Sequence, residues 1–95
     1  MVDRLRTQVE KEKRDQRVLR VVVEERPIGI TRIAAETGIP EHKVRYSLRM
    51  LEDDELVEPT PDGAVPPEEI GERLERMNRE IDDLVERLEA LKDIL

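Results

Sequence analysis

Few side chains in this 95-residue chain can do chemistry beyond packing and solvation, and most of them sit close together. His42, Lys43, Arg45, Tyr46 and Arg49 fall within eight residues, and Thr31 and Arg32 lie just ahead of them. On a helix His42, Tyr46 and Arg49 stand at i, i+4 and i+7, flanked by Lys43 and Arg45, which makes one outward basic stripe. A guanidinium at Arg45 or Arg49 can grip a guanine edge bidentately or hold phosphate, and Tyr46 and Lys43 suit phosphate or a base edge. Thr31 and Arg32 open a short helix, where free N–H groups and the positive dipole favour a phosphate. His42 reads as a polar contact rather than a pH switch. Such residues are also what any solvated helix face carries, so they are candidates for contact with a polyanion.

Bond-making chemistry finds no foothold. The chain has one Ser (Ser47), one His and no Cys, and His42 and Ser47 fall on different faces of one helix. There is no Gly-rich phosphate loop, and the carboxylates are spread along helix exteriors rather than paired in a cleft, so no enzyme is expected. Neither a Cys/His zinc set nor a disulfide framework can be assembled. With one Tyr and neither Phe nor Trp, an aromatic-lined pocket is not expected, and therefore no cofactor or small-molecule ligand. The first residues, MVDRLRTQ, are charged from Asp3 onward, and no stretch reaches membrane-spanning length. Together with the missing cysteine this leads to the expectation of a soluble cytoplasmic protein.

Net charge is −7, which taken whole would repel nucleic acid. The halves differ: residues 1–50 hold 12 Lys/Arg against 8 Asp/Glu, and residues 51–95 hold 5 against 16. The front can meet a phosphate backbone while the back stays away from it. Arg outnumbers Lys 13 to 4, and 24 residues are acidic. That balance fits a carboxylate-rich surface adapted to high salt, with ordinary solvated helix faces as the alternative.

Several elements must position the stripe. Residues 3–26 read as helix: Leu5 and Val9 lie four apart, and Val18/Val22 and Leu19/Val23 repeat that spacing. Glu10 to Arg17 is polar throughout, so the first dozen residues form an extension that packs weakly. Pro27-Ile28-Gly29 breaks the chain, and Thr31 is placed to N-cap a helix through Thr37. Gly38 suits the left-handed C-cap, Ile39-Pro40 the turn, and Pro40 to about Asp54 the next helix. There Val44, Ser47, Leu48 and Leu51 share the inner face, and Ala34 and Ala35 are small where the two helices must cross. Leu56-Val57-Glu58 and Ala64-Val65 read as short strands around the Pro61-Asp62-Gly63 turn. After Pro66-Pro67, uninterrupted helix is expected from Glu68 to Leu95.

This order resembles the DNA-binding core of archaeal winged helix-turn-helix transcriptional regulators. The resemblance covers roughly residues 15–66 and rests on Ile33-Ala34-Ala35-Glu36-Thr37-Gly38-Ile39 as first helix and turn. Val44, Leu48 and Leu51 in the second helix and Leu56-Val57 at the start of the wing complete it. It implies a mainly α fold with a small β wing and a recognition helix at about residues 40–54 in the major groove of double-stranded DNA. The sequence departs from the pattern in the wing. Glu58 to Pro67 holds no Lys or Arg, so beyond the backbone N–H near Gly63 the wing has little to offer DNA. Glu52, Asp53, Asp54 and Glu55 would repel phosphate. Contact is therefore expected from the N-terminal half of the recognition helix and from the basic extension (Arg4, Arg6, Lys11, Lys13, Arg14).

The tail carries a different pattern. Ile70, Leu74, Met77, Ile81, Leu84, Leu88, Leu91 and Leu95 are separated by alternating steps of four and three. A 3.5-residue period held for more than three heptads marks a long C-terminal coiled-coil helix rather than a helix lying on its own domain, where the period drifts toward 3.6. These residues are the expected homodimer interface. In a parallel pair the flanks offer no attraction, and Arg87 would meet the partner's Lys92. In an antiparallel pair centred near residues 82–83, Glu80 meets the partner's Arg87 twice. Each such exposed pair contributes at most about 1 kcal/mol, which favours antiparallel. This layout resembles that of small archaeal winged-helix DNA-binding proteins, and the resemblance likewise implies an antiparallel C-terminal coiled coil. A rod of about 40 Å would then separate two recognition helices, on one duplex or between two.

The expected organisation is thus a basic helical extension (1–14), a winged helix-turn-helix (15–66) and a coiled-coil dimerisation helix (67–95). The expected function is sequence-specific transcription regulation as a homodimer. A winged-helix protein-interaction scaffold and a general chromatin-type DNA binder are the alternatives. At molar salt, counterion release would supply little affinity, and base contacts and shape would have to carry binding.

Overall fold

The structure is a computed structural model that describes residues 2–95; residue 1 of the 1–14 extension lies outside the described residues. Four helices and one hairpin follow in the order α1 (Val2–Glu25), α2 (Ile30–Thr37), α3 (Glu41–Asp53), β1 (Glu58–Thr60), β2 (Gly63–Val65) and α4 (Ile70–Leu91). The fold is therefore mainly helical with a small two-stranded antiparallel sheet.

In α1 the β-branched run Val21-Val22-Val23 stays helical. Val18, Leu19 and Val22 are buried and Val21 and Val23 pack against the core, so tertiary burial overrides strand propensity. Residues 2–13 are exposed on every side, as expected of a weakly packed extension.

α2 starts two residues earlier than Thr31 capping would require. Gly29 is the N-cap, in extended conformation, and Ile33 N–H donates to its carbonyl at 3.0 Å. The reason lies upstream: Ile28 is tied to Ala64 by two backbone hydrogen bonds, which pins the chain and leaves Gly29 to make the turn into the helix. Thr31 thus lies inside the first turn. Gly38 ends α2 in the left-handed region (φ 75°), its N–H donating to Ala34 at 2.9 Å. Ala34 packs on the core as expected, but Ala35 is exposed and takes no part in the helix crossing.

α3 buries Val44, Ser47, Leu48 and Leu51 on one face, with Pro40 as N-cap. It stops through Glu55, a non-glycine at φ 60°, with Leu56 N–H returning to Leu51 C=O at 2.9 Å. That stop shifts the first strand. Leu56 still belongs to the helix terminus and Val57 plugs the core, so the strand is Glu58–Thr60 rather than Leu56–Glu58. β1 pairs with β2 in the register Glu58↔Val65, Pro59↔Ala64 and Thr60↔Gly63. Ala64 spends its N–H and C=O on Ile28, so Pro59 opposite it needs no N–H. Gly63 at φ 129° lies so close to Ile28 that a Cβ would stand 2.7–2.8 Å from its backbone.

α4 is shorter than the expected 68–95. Pro66 and Pro67 are buried, and Ile70 N–H donates to Pro67 C=O at 3.2 Å, so the chain turns before the helix begins. After Leu91, i→i−3 bonds tighten residues 92–94 into turns. At 1.5 Å per residue the helix is about 33 Å long rather than 40 Å. Ile70 is in the core and Leu74 and Met77 lie against it, while residues 78–95 are exposed. The molecule measures 52 × 28 × 20 Å.

Candidate nucleic-acid interface

With its apolar face fixed in the core, α3 must present the opposite face outward. At about 100° per residue, His42, Arg45, Tyr46 and Arg49 span roughly a 100° arc opposite Val44 and Leu51, and Lys43 lies on the flank beyond Tyr46. All five side chains are exposed. The structure thus brings together these five residues, as the sequence spacing requires. Among the described residues, none of the four cationic or imidazole groups has a carboxylate within ion-pair distance. One turn beyond Arg49, Asp53 falls on the same line and closes the stripe with negative charge. Glu52 and Glu55 join Glu58 and Glu69 around Arg73 in a shallow acidic depression.

Thr31 and Arg32 differ. Both are exposed at the start of α2, but the Arg32 guanidinium lies 3.5 Å from Glu25 and 3.8 Å from Glu36. Glu25, hydrogen-bonding to Glu36 and repelling its ionised form, holds the Glu36 carboxyl above its ordinary range against the pull of Arg32. Arg32 is therefore already compensated within its own chain. That weakens it as a phosphate ligand relative to Arg45 and Arg49.

The basic extension is also only partly free. Arg6 pairs with Asp3 and Lys13 with Glu10, both at 3.1 Å, whereas Arg4 and Lys11 stand exposed. Arg14 turns inward. Its Nε–H donates to Ser47 Oγ at 2.9 Å, and its guanidinium carbon stands 5.5 Å from the Tyr46 ring centroid. Ser47 is fully buried, so this bond satisfies a hydroxyl withdrawn from water. A cation over the ring face at this distance also restrains Tyr46, which is 49% exposed. Arg14 is thus a positioning residue, counted with the DNA-facing extension from sequence alone. One signal was available: it stands four residues before Val18, on the buried side of α1.

The arrangement holds charge and hydrogen-bonding heads on a rigid helix. Among the described residues no group of His, Cys, Asp and Glu is placed to hold a metal ion, and no helix is long and apolar enough to cross a membrane. Comparison with known families finds no family model that matches the chain, and a search of curated proteins finds no match.

Proposed function

We propose that this chain is a DNA-binding transcriptional regulator of winged helix-turn-helix architecture, acting as a homodimer in the cytoplasm. α2 and α3 form the helix-turn-helix, β1–β2 the wing, and α3 enters the major groove. The observation that carries this reading is the exposed, uncompensated stripe of Arg45, Arg49, His42 and Lys43 beside a restrained Tyr46. Arg20, Arg32, Arg73 and Arg87 are paired with carboxylates of the same molecule. The other unpaired cations among the described residues, such as Arg4, Lys11, Arg17, Arg76 and Arg79, are scattered along α1 and α4 rather than gathered on one face. Localised charge favours a regulator over a chromatin-type binder, whose contacts would spread over the surface.

The homodimer reading rests on α4, where Ile81, Leu84, Leu88 and Leu91 are about half exposed on one ridge. Such a ridge suits an antiparallel coiled coil with layers such as Ile81 on the partner's Leu84. The acidic hairpin and the depression around Arg73 favour the second reading, an interaction scaffold that binds a basic protein segment.

Fluorescence anisotropy against mixed genomic duplex fragments at two salt concentrations tests the choice. Arg45→Ala/Arg49→Ala is expected to weaken binding about 10- to 100-fold, since each arginine contact is worth about 1–3 kcal/mol at a base and less at a phosphate. The salt slope of the wild type would count the phosphates engaged. Failure of the wild type to bind any fragment at either salt would refute DNA binding and turn attention to the scaffold reading.

A further inference from the structure

A second apolar ridge remains unused by that reading. Val2, Leu5 and Val9 follow the same three–four spacing as the α4 ridge, on the part of α1 that projects beyond the core. Both ridges leave the core at one point, where Gln16 Nε2–H donates to Met77 Sδ at 2.9 Å. From that point α1 descends in residue number and α4 ascends, so the two helices depart in opposite chain sense. Counted along the chain from this contact, Val9 and Leu84 each stand seven residues out, Leu5 and Leu88 eleven, and Val2 and Leu91 fourteen. The two projections therefore match in length, at about 20 Å each.

Within one chain neither ridge covers the other: Leu5 is 42% exposed, Val9 47%, Leu84 55% and Leu88 45%. A dozen exposed residues of helix receive only marginal support from i,i+3 pairs such as Arg6–Asp3. The α4 ridge is also wider than a two-helix seam needs, because Val85 stands beside Ile81 and Leu88 at helical spacing and is 46% exposed. Apolar residues at a, d and one flank are the pattern of a helix with two neighbours in a bundle. Charge agrees: residues 2–14 hold five Lys/Arg against three Asp/Glu, and residues 78–95 hold three against six.

We propose that the occupant is a second copy of this chain and that the dimer is a four-helix bundle. The two α4 helices pair, and the projecting half of each α1 packs along them, so that Val2, Leu5 and Val9 belong to the dimer interface. This rests on the α4 homodimer reading and adds α1 to it. The basic extension is then held beside the acidic rod, with Arg4 and Lys11 on its outer surface.

Two measurements test it. Sedimentation equilibrium of Leu5→Glu/Val9→Glu should show a dimer dissociation constant raised at least tenfold over wild type, with Leu84→Glu/Leu88→Glu as the control for the α4 pair. The substituted residues lie outside the core, so circular dichroism of the variant should keep the core helices. Hydrogen exchange of wild-type amides 6–12 should show protection that rises as concentration crosses the dimerisation midpoint. Protection equal on both sides of that midpoint, as closure of α1 on its own α4 would give, overturns the proposal. So does an unchanged dissociation constant in a wild-type dimer, which leaves the α4 reading standing. A wild type that sediments as a monomer throughout removes both.

Discussion

The bond between Arg14 and Ser47 links the first helix to the proposed recognition helix, and its worth can be measured by a double-mutant cycle. Arg14→Met keeps much of the aliphatic stem while removing the Nε–H that reaches Ser47 Oγ at 2.9 Å and the cation over Tyr46. A charged donor on a buried hydroxyl is worth about 1.5–3 kcal/mol, and a cation–π contact near the surface about 0.5–1 kcal/mol. The Arg14 side chain is 20% exposed, so water replaces part of what is lost, and a net cost of about 2 kcal/mol is expected. In a chain of this size that lowers the melting midpoint by about 10 °C. Asp15 adds to the cost: its buried Oδ1 has no hydrogen-bond partner among the described residues and lies 4.0 Å from Arg14 Nε.

Ser47→Ala alone should cost about 1 kcal/mol, the ordinary value of one hydrogen bond. The double variant should cost no more than Arg14→Met by itself, giving a coupling energy of about 1 kcal/mol. Urea unfolding at one fixed protein concentration provides all four corners of the cycle. Costs that simply add, within about 0.3 kcal/mol, would refute the coupling. Because Arg14 faces the protein, its replacement should weaken DNA binding through Tyr46 without lowering the salt slope. A slope reduced by about one would instead mean that Arg14 touches a phosphate.

Two further outcomes follow from single positions. Gly63→Ala meets both a left-handed backbone (φ 129°) and the Ile28 main chain at 2.7 Å, and should lower stability by about 3 kcal/mol; a urea midpoint showing a loss below about 1 kcal/mol would contradict the close approach. At Glu36 the carboxyl is raised in the folded state by Glu25, so the folded protein holds this proton more tightly than the unfolded chain. Its stabilising contribution is present at acidic pH and is lost as pH rises through the raised value. The melting midpoint of the wild type should therefore fall relative to Glu36→Gln between mildly acidic and neutral pH, and added salt should shrink the difference.

Much of the site was legible because its logic is local. The apolar spacing of Val44, Leu48 and Leu51 fixes which side of α3 faces inward, and the basic stripe is then outward by geometry alone. Gly38 ended α2 where its conformational freedom implied. The misplacements fall where distant segments meet. Thr31 lost the capping role because Ala64, more than thirty residues away, pins Ile28 and hands the turn to Gly29. The first strand moved because Leu56 completes the end of α3.

What the sequence by itself determined are the helices, their breaks, the charge asymmetry and the two apolar ridges, since each depends on periodicity or on the backbone limits of Gly and Pro. What only the tertiary structure decided is which cations are free. Arg14, Arg32 and Arg45 are the same residue type on exposed-looking stretches. Arg14 is drawn to a buried hydroxyl, Arg32 is compensated by Glu25 and Glu36, and Arg45 stands without a carboxylate among the described residues. Charge compensation depends on distances across the fold, and a linear pattern holds only the distances along one helix.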